Sequence, residues 1–383
     1  MASVIEREAD ARSSPEPVDP NPLLEHIAAH GLVYPDAART VPQAYWPIIL
    51  DDLRTQRLTG LAVSAVEGGS LSLAQDELVD LLAAHRELMM QALELEKALL
   101  LAAEAFESRG VDFLVLKGPA FAHTFYPNPS CRPFGDLDLL VTGKDWEAAR
   151  ASLEELGFRQ RMPEPRPGFN RRFAQGVAFR NGNGLEVDLH RTLVTGAFGF
   201  WVDPELLMAR TATLDIGGRS FSRLDTTAAL LHACLHAMLS FSPPPLLPLR
   251  DVAQIAGSPG VDWEEMERWV QQWKLRAVIR DAVSYASTML GATLPSEFRS
   301  LTDTPPTRRE RRAFEVYSTN RKMRGGEAVS TLWAIRGFRA KAAYVRGVLL
   351  PDRAFLAART GGERGSYRRR WAVALGWLRT GRR

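Results

Sequence analysis

The stretch Arg132-Pro133-Phe134-Gly135-Asp136-Leu137-Asp138-Leu139-Leu140-Val141 decides how this chain is read. From Asp136 to Val141 it has the apolar density of a buried strand, and side chains along a strand alternate between two faces. Leu137, Leu139 and Val141 therefore point one way, while Asp136 and Asp138 point the other way together. Two carboxylates on one surface repel each other, and partial burial beside leucines makes both charges costly unless a cation or donor compensates them. A hard divalent ion held through oxygen meets that need, Mg²⁺ above all where a substrate brings phosphates. A solvated strand carrying two ordinary aspartates has the same pattern, so the flanking segments must decide.

Upstream, Val111 to Lys117 reads as another buried strand, and Gly118-Pro119 ends it where a helix over Ala120 to Tyr126 begins. The unpaired N–H groups and positive dipole end of such a helix favour phosphate, glycine allows an anion to approach closely, and Lys117 adds a point charge. Downstream, Gly176 to Arg180 and Leu185 to His190 flank Asn181-Gly182-Asn183-Gly184, residues suited to a hairpin turn. Glu186 and Asp188 share a face of the second strand, which makes a third carboxylate available. His190 is read as projecting away from Asp188 and as structural. Arg132 is a candidate for steadying phosphate charge, with a plain surface role as the alternative.

Around this centre the periodicity is helical. Residues 1–21, with Ser13-Ser14-Pro15-Glu16-Pro17 and Asp19-Pro20-Asn21-Pro22 overlapping their end, read as a disordered tail. Over 22–109, Leu78, Leu81, Leu82, Leu88, Met89, Leu93, Leu99 and Leu100 recur at three- and four-residue steps, as on a long amphipathic helix that stops at Gly110. Thr142 and Asp145 resemble a capping box for a helix running to Leu156 and closing at Gly157. After Gly217-Gly218 the helical signal returns. The expected architecture is α+β: a small mixed sheet with its own helices over 110–220, between helical regions at 22–109 and 221–305 and a basic helical region at 306–383.

Length and composition bound the rest. The 383 residues exceed one minimal module, and two or three packed units are expected. No apolar run is long enough to span a bilayer, and the acidic N-terminus lacks the form of a secretory leader. Only Cys131 and Cys234 occur, so neither a disulfide framework nor a cysteine zinc cluster is expected, and a reducing, cytoplasmic setting fits. The net charge of +3 hides an asymmetry. Residues 306–383 hold 20 Lys and Arg against 5 Asp and Glu, leaving 28 against 40 for residues 1–305. A basic terminal quarter suits nucleic acid, an acidic membrane, an anionic substrate or the chain's own acidic body. Arg368-Arg369-Arg370-Trp371, with Tyr367 and Trp377, has a composition suited to RNA or anionic lipid, and equally to a solvated helix. His232 and His236, four apart on a helix, lack the glutamate of a zinc peptidase and are read as packing near the site. Arg250-Asp251 is a candidate for contact with nucleotide or acceptor, with a local ion pair as the preferred reading.

Taken together, Leu116-Lys117-Gly118-Pro119-Ala120, Tyr126-Pro127, the Arg132 to Val141 stretch and Val187-Asp188-Leu189-His190 resemble the uncharacterised bacterial nucleotidyltransferase family of the DNA polymerase β-like superfamily, from about Tyr45 onward. The resemblance implies that Gly118 is the glycine turn, Asp136 and Asp138 the metal pair, and Asp188 the third carboxylate, with Lys117, Gly118, Arg132 and Gly135 near the nucleotide. Pro119 departs from the pattern, standing where a second Gly or a Ser is usual. The implied reaction is transfer of a nucleoside monophosphate from an NTP to a hydroxyl of an unidentified acceptor (peptide, small molecule or RNA), with two Mg²⁺ ions bridging attacking and leaving oxygens. Phosphoryl or glycosyl-phosphate transfer, and a non-catalytic nucleotide- or RNA-binding module, are the alternatives.

Overall fold

The computed structural model describes residues 21–33, 38–318 and 324–359. Residues 1–20 of the expected tail and the Tyr367 to Trp377 cluster lie outside them. Helix α1 (Asn21–Ala29) leads to the two-residue strand β1 (Arg39–Thr40), helices α2 (Trp46–Thr55) and α3 (Thr59–Glu67), and β2 (Leu71–Ser72), parallel to β1. The long helix α4 (Gln75–Glu107) follows, then β3 (Phe113–Val115), α5 (Lys117–Phe125), β4 (Leu137–Val141), α6 (Trp146–Glu155), β5 (Arg159–Gln160), α7 (Phe169–Phe173), β6 (Gly176–Arg180) and β7 (Glu186–His190). Two short helices, α8 (Phe198–Trp201) and α9 (Pro204–Met208), precede the hairpin β8 (Thr211–Ile216) and β9 (Arg219–Leu224). The chain then stays helical through α10 (Thr226–Ser240), α11 (Leu246–Ala256), α12 (Trp263–Gln272), α13 (Arg276–Leu290), α14 (Ser296–Ser300), α15 (Arg308–Ser318), α16 (Arg324–Ala334), α17 (Phe338–Leu349) and α18 (Arg353–Arg359). No helix among the described residues is long and apolar enough to cross a membrane.

The architecture is α+β. Seven strands form one mixed sheet in the order β5-β6-β7-β4-β3-β9-β8. β4 lies at its centre, antiparallel to β3 and parallel to β7, with Asp138 opposite Asp188 in register. Every residue of β4 is buried, which requires a leucine-rich strand and leaves Asp138 as the one charge within it. The β6–β7 hairpin forms where the Asn-Gly turn was expected: Asn181 Oδ1 accepts from the N–H of Asn183 and of Leu185, and Gly184 takes a φ of 86°.

Several expectations need correction. The hairpin β8–β9 turns on Gly217-Gly218, both at positive φ, so the pair links two strands and does not mark a return to helix. The boundary at residue 220 consequently falls inside β9. On α4 the buried face is Leu81, Ala84, Ala92, Leu95, Ala98, Leu99, Ala102, Ala103 and Phe106, whereas Leu82 and Leu93 are exposed. Alanines let neighbouring elements approach closely and carry much of this face, so a stripe drawn through leucines alone is rotated from the true one. Thr142 and Asp145 bond to each other without capping α6: Asp145 N–H donates to Thr142 O, Thr142 Oγ1 donates to Asp145 Oδ2 at 3.0 Å, and the helix starts only at Trp146. One contiguous apolar cluster runs from Leu24 to Tyr317, joining the N-terminal helices, the sheet and the later helices. A smaller one joins Phe173, Ile335 and Tyr344 where α17 packs on α7.

Candidate active site

The ends of β3, β4 and β7 bring the acidic residues together. Asp138 and Asp188 are paired in register on adjacent parallel strands, and Asp136 sits one residue before β4. Lys117 links the Asp136–Asp138 pair: its Nζ contacts Asp138 and lies 3.4 Å from Asp136 Oδ2. Burial alone would lower the pKa of Lys117, but the fields of Asp138 and Asp136 outweigh it and push it up to about 12. Burial would raise Asp138, yet Lys117 and His190 hold it well below the usual carboxylate range. Among the described residues no cation is hydrogen-bonded to Asp188, and the fields of His190 and Lys117 do not outweigh its burial. Desolvation first, and the Asp138 charge second, push it up to about 6, and its Oδ1 is buried without a hydrogen bond.

His190 belongs to this site, contrary to expectation. Positions 188 and 190 are two apart on one strand, and the period of two puts them on the same face. The ring Nε2 lies 2.7 Å from Asp138 Oδ1. An ionised carboxylate only accepts, so Nε2 carries the proton and donates. The ring thereby fixes the orientation of Asp138, while its Nδ1 is buried and unpartnered. Ligand atoms of Asp138, Asp188 and His190 all lie within 4.8 Å of one another. A buried carboxylate oxygen without a donor, next to two further carboxylates already drawing in an ammonium, is a donor set that fits a hard divalent cation.

The glycine turn is braced from beneath. Gly118 interrupts the helical dihedrals of α5 with φ 19° and ψ −111°, and no side chain caps the helix. A Cβ at Gly118 would stand 3.3 Å from Asp136 O, so the turn abuts the backbone that carries Asp136. Arg132 holds this junction. Its Nη1 donates to Gly118 O at 3.1 Å, and Nε and Nη2 donate to the two Asp251 oxygens at 2.7 Å each. The pair is buried, and Tyr126 Oη donates to Asp251 Oδ1 at 2.8 Å. Arg132 thus spends its nitrogens inside the protein, tying α11 to the turn, where sequence reading had offered it to phosphate. Arg250 and Asp251 do not form the expected local pair. Consecutive residues on a helix point about 100° apart, and Arg250 reaches Ala28 O and His30 O instead. Gly135 is covered by Arg57: a Cβ there would meet the guanidinium nitrogens at 2.2 Å.

His232 is buried and His236 partly buried on α10, with Phe121 edge-on to His232. Burial, with Lys117 adding to it, lowers His232 to about 3 and His236 well below its usual value, so both rings are neutral. Cys131 and Cys234 are buried free thiols.

A family model described as an uncharacterised nucleotidyltransferase matches residues 42–291. The chain belongs to this family. It is therefore a transferase of nucleotidyl groups, and its matched region contains every site residue named above. A search of curated proteins returned no match. Among solved structures, the antibiotic-resistance factor ANT(2'')-Ia is similar over 50% of this chain and 98% of its own, at 16% identity and a TM-score of 0.35. An antigenic nucleotidyltransferase-like protein from Paracoccidioides brasiliensis is similar over 54% of this chain and 95% of its own, at 15% identity and a TM-score of 0.31.

Proposed function

We propose that this nucleotidyltransferase is Mg²⁺-dependent and moves a nucleoside monophosphate from an NTP to a hydroxyl of its acceptor, releasing pyrophosphate. The observation that carries this reading is the convergence of Asp136, Asp138 and Asp188, with one buried Asp188 oxygen left unpartnered. Asp136, Asp138 and Asp188 would hold the metal, which supplies Lewis-acid charge at the α-phosphate and its leaving group. The acceptor oxygen bonds to the α-phosphorus, the bond to the bridging oxygen breaks, and its electron pair leaves with pyrophosphate. Asp188 would also stand as the base that takes the proton of the acceptor hydroxyl. Lys117 balances the carboxylate pair and stands beside the glycine turn, where phosphate oxygens approach. Arg132 keeps the Gly118 carbonyl turned inward, and His190 keeps Asp138 in one orientation.

The region 110–220, extended through β9, is read as the catalytic core, with the helical flanks shaping the acceptor pocket. The basic composition of residues 306–383 would attract an RNA acceptor. The two buried thiols suit a reducing, cytoplasmic compartment. Asp136→Asn combined with Asp138→Asn should abolish transfer in a protein that still folds by circular dichroism, with a melting temperature lowered by the loss of the buried Lys117 counter-charges. Full turnover in that folded double variant would remove the assignment.

A further inference from the structure

The N-terminal helices lay one cation, unused in the chemistry above, on the loop that leads into β4. Arg57 lies in the turn between α2 and α3 with a φ of 57°, a left-handed conformation that glycine fills without cost. The turn is fixed by Leu58 N–H to Leu53 O at 2.8 Å and Gln56 N–H to Asp52 O at 2.8 Å. A side chain kept at such a position points to function. The Arg57 guanidinium lies directly on Gly135, the residue before Asp136, and only the missing Cβ of Gly135 makes room for it. It is half-buried, and among the described residues it has no hydrogen bond or carboxylate partner. Its neighbour Arg54 instead pairs with Glu87. The surface is held rigidly: α3 packs so closely on the 129–131 turn that a Cβ at Gly60 would stand 2.0 Å from Ser130 O.

We propose that Arg57 is the triphosphate clamp of the site, a planar donor fork for the β- and γ-phosphates supplied by the helical flank to the catalytic core. The proposal rests on the nucleotidyl-transfer reading. With Arg132 committed to Asp251 and Lys117 to the aspartate pair, Arg57, over Gly135, is a cation whose side-chain donors are unspent among the described residues. Guanidinium matches phosphate oxygens two at a time. The free fork over Gly135, on the loop that carries Asp136, would therefore neutralise the leaving pyrophosphate as its charge develops.

The test is calorimetric titration of the full chain, in Mg²⁺, with each of the four NTPs, the matching NMPs and inorganic tripolyphosphate, beside pyrophosphate release. Arg57→Ala should weaken NTP and tripolyphosphate binding about 10- to 100-fold, leave NMP binding unchanged and leave the melting temperature within a degree or so. Arg57→Lys should recover part of the loss. Gly135→Ala displaces only the tip of a flexible side chain, so it should reproduce the loss in a folded protein. Unchanged NTP affinity in Arg57→Ala, or an equal loss for NTP and NMP, overturns the clamp while wild-type pyrophosphate release keeps the transfer reading. A wild-type chain that binds no NTP and releases no pyrophosphate overturns both.

Discussion

The Arg132–Asp251 pair gives the sharpest quantitative expectation. Arg132→Met removes the guanidinium at similar volume and leaves Asp251 buried, with only the Tyr126 hydroxyl to compensate it. Stranding a buried charge in this way costs about 3–5 kcal/mol. Unfolding entropy is about 2.1 cal/mol/K per residue, so a unit of about 300 residues loses roughly 5–8 °C in melting temperature for that cost. The double variant Arg132→Met with Asp251→Leu removes both charges and should regain most of the loss, since a buried pair is often no better than an apolar one. The assay is thermal unfolding of wild type, both single variants and the double variant, with NTP affinity measured on each. A brace predicts a large coupling in stability, and an NTP affinity that falls with Arg132→Met through the loosened Gly118 turn. An unchanged melting temperature together with lost NTP affinity would mean that Arg132 binds phosphate directly and that the brace reading is wrong.

Other consequences follow from the same geometry. His232 and His236 are neutral in the fold and take up protons on unfolding below pH 6.5, so the unfolded state binds more protons and stability falls with acidity. Each should contribute a loss of about 1.4 kcal/mol per pH unit below 6.5, and His232→Phe should flatten the melting temperature profile between pH 7 and 5. His190→Ala frees Asp138 to rotate and should weaken divalent-ion binding about 10- to 100-fold, read by Mn²⁺ titration; equal affinity would show that the ring plays no positioning role. Gly60→Ala forces a Cβ against the Ser130 and Cys131 backbone and should cost about 1–3 kcal/mol in thermal unfolding; no loss would mean that α3 can shift freely.

Local pattern carried much of this account. The alternation through Asp136 to Val141, the Asn-Gly hairpin and the glycine turn after Lys117 are all short-range signals, and they define β4, β6, β7 and the start of α5. The same alternation rule, applied to His190, puts it beside Asp188, so that residue was legible and misread. The Arg132–Asp251 brace joins residues 119 apart, and no local periodicity encodes such a contact. The face of α4 was hidden because small residues bury as well as large ones. Arg57 carried no motif at all: its role rests on an unusual backbone angle and a glycine that only the fold brings near.

The most direct measurement follows the phosphates themselves. Each of the four NTPs, labelled in turn at the α- and γ-positions, is incubated with the purified chain and cell extract as the acceptor source, with Mg²⁺ or with EDTA. The α-label is expected on an acceptor and the γ-label in free pyrophosphate, both dependent on Mg²⁺ and both lost in Asp138→Asn. Transfer of the γ-label, or NTP binding without any pyrophosphate, would contradict nucleotidyl transfer.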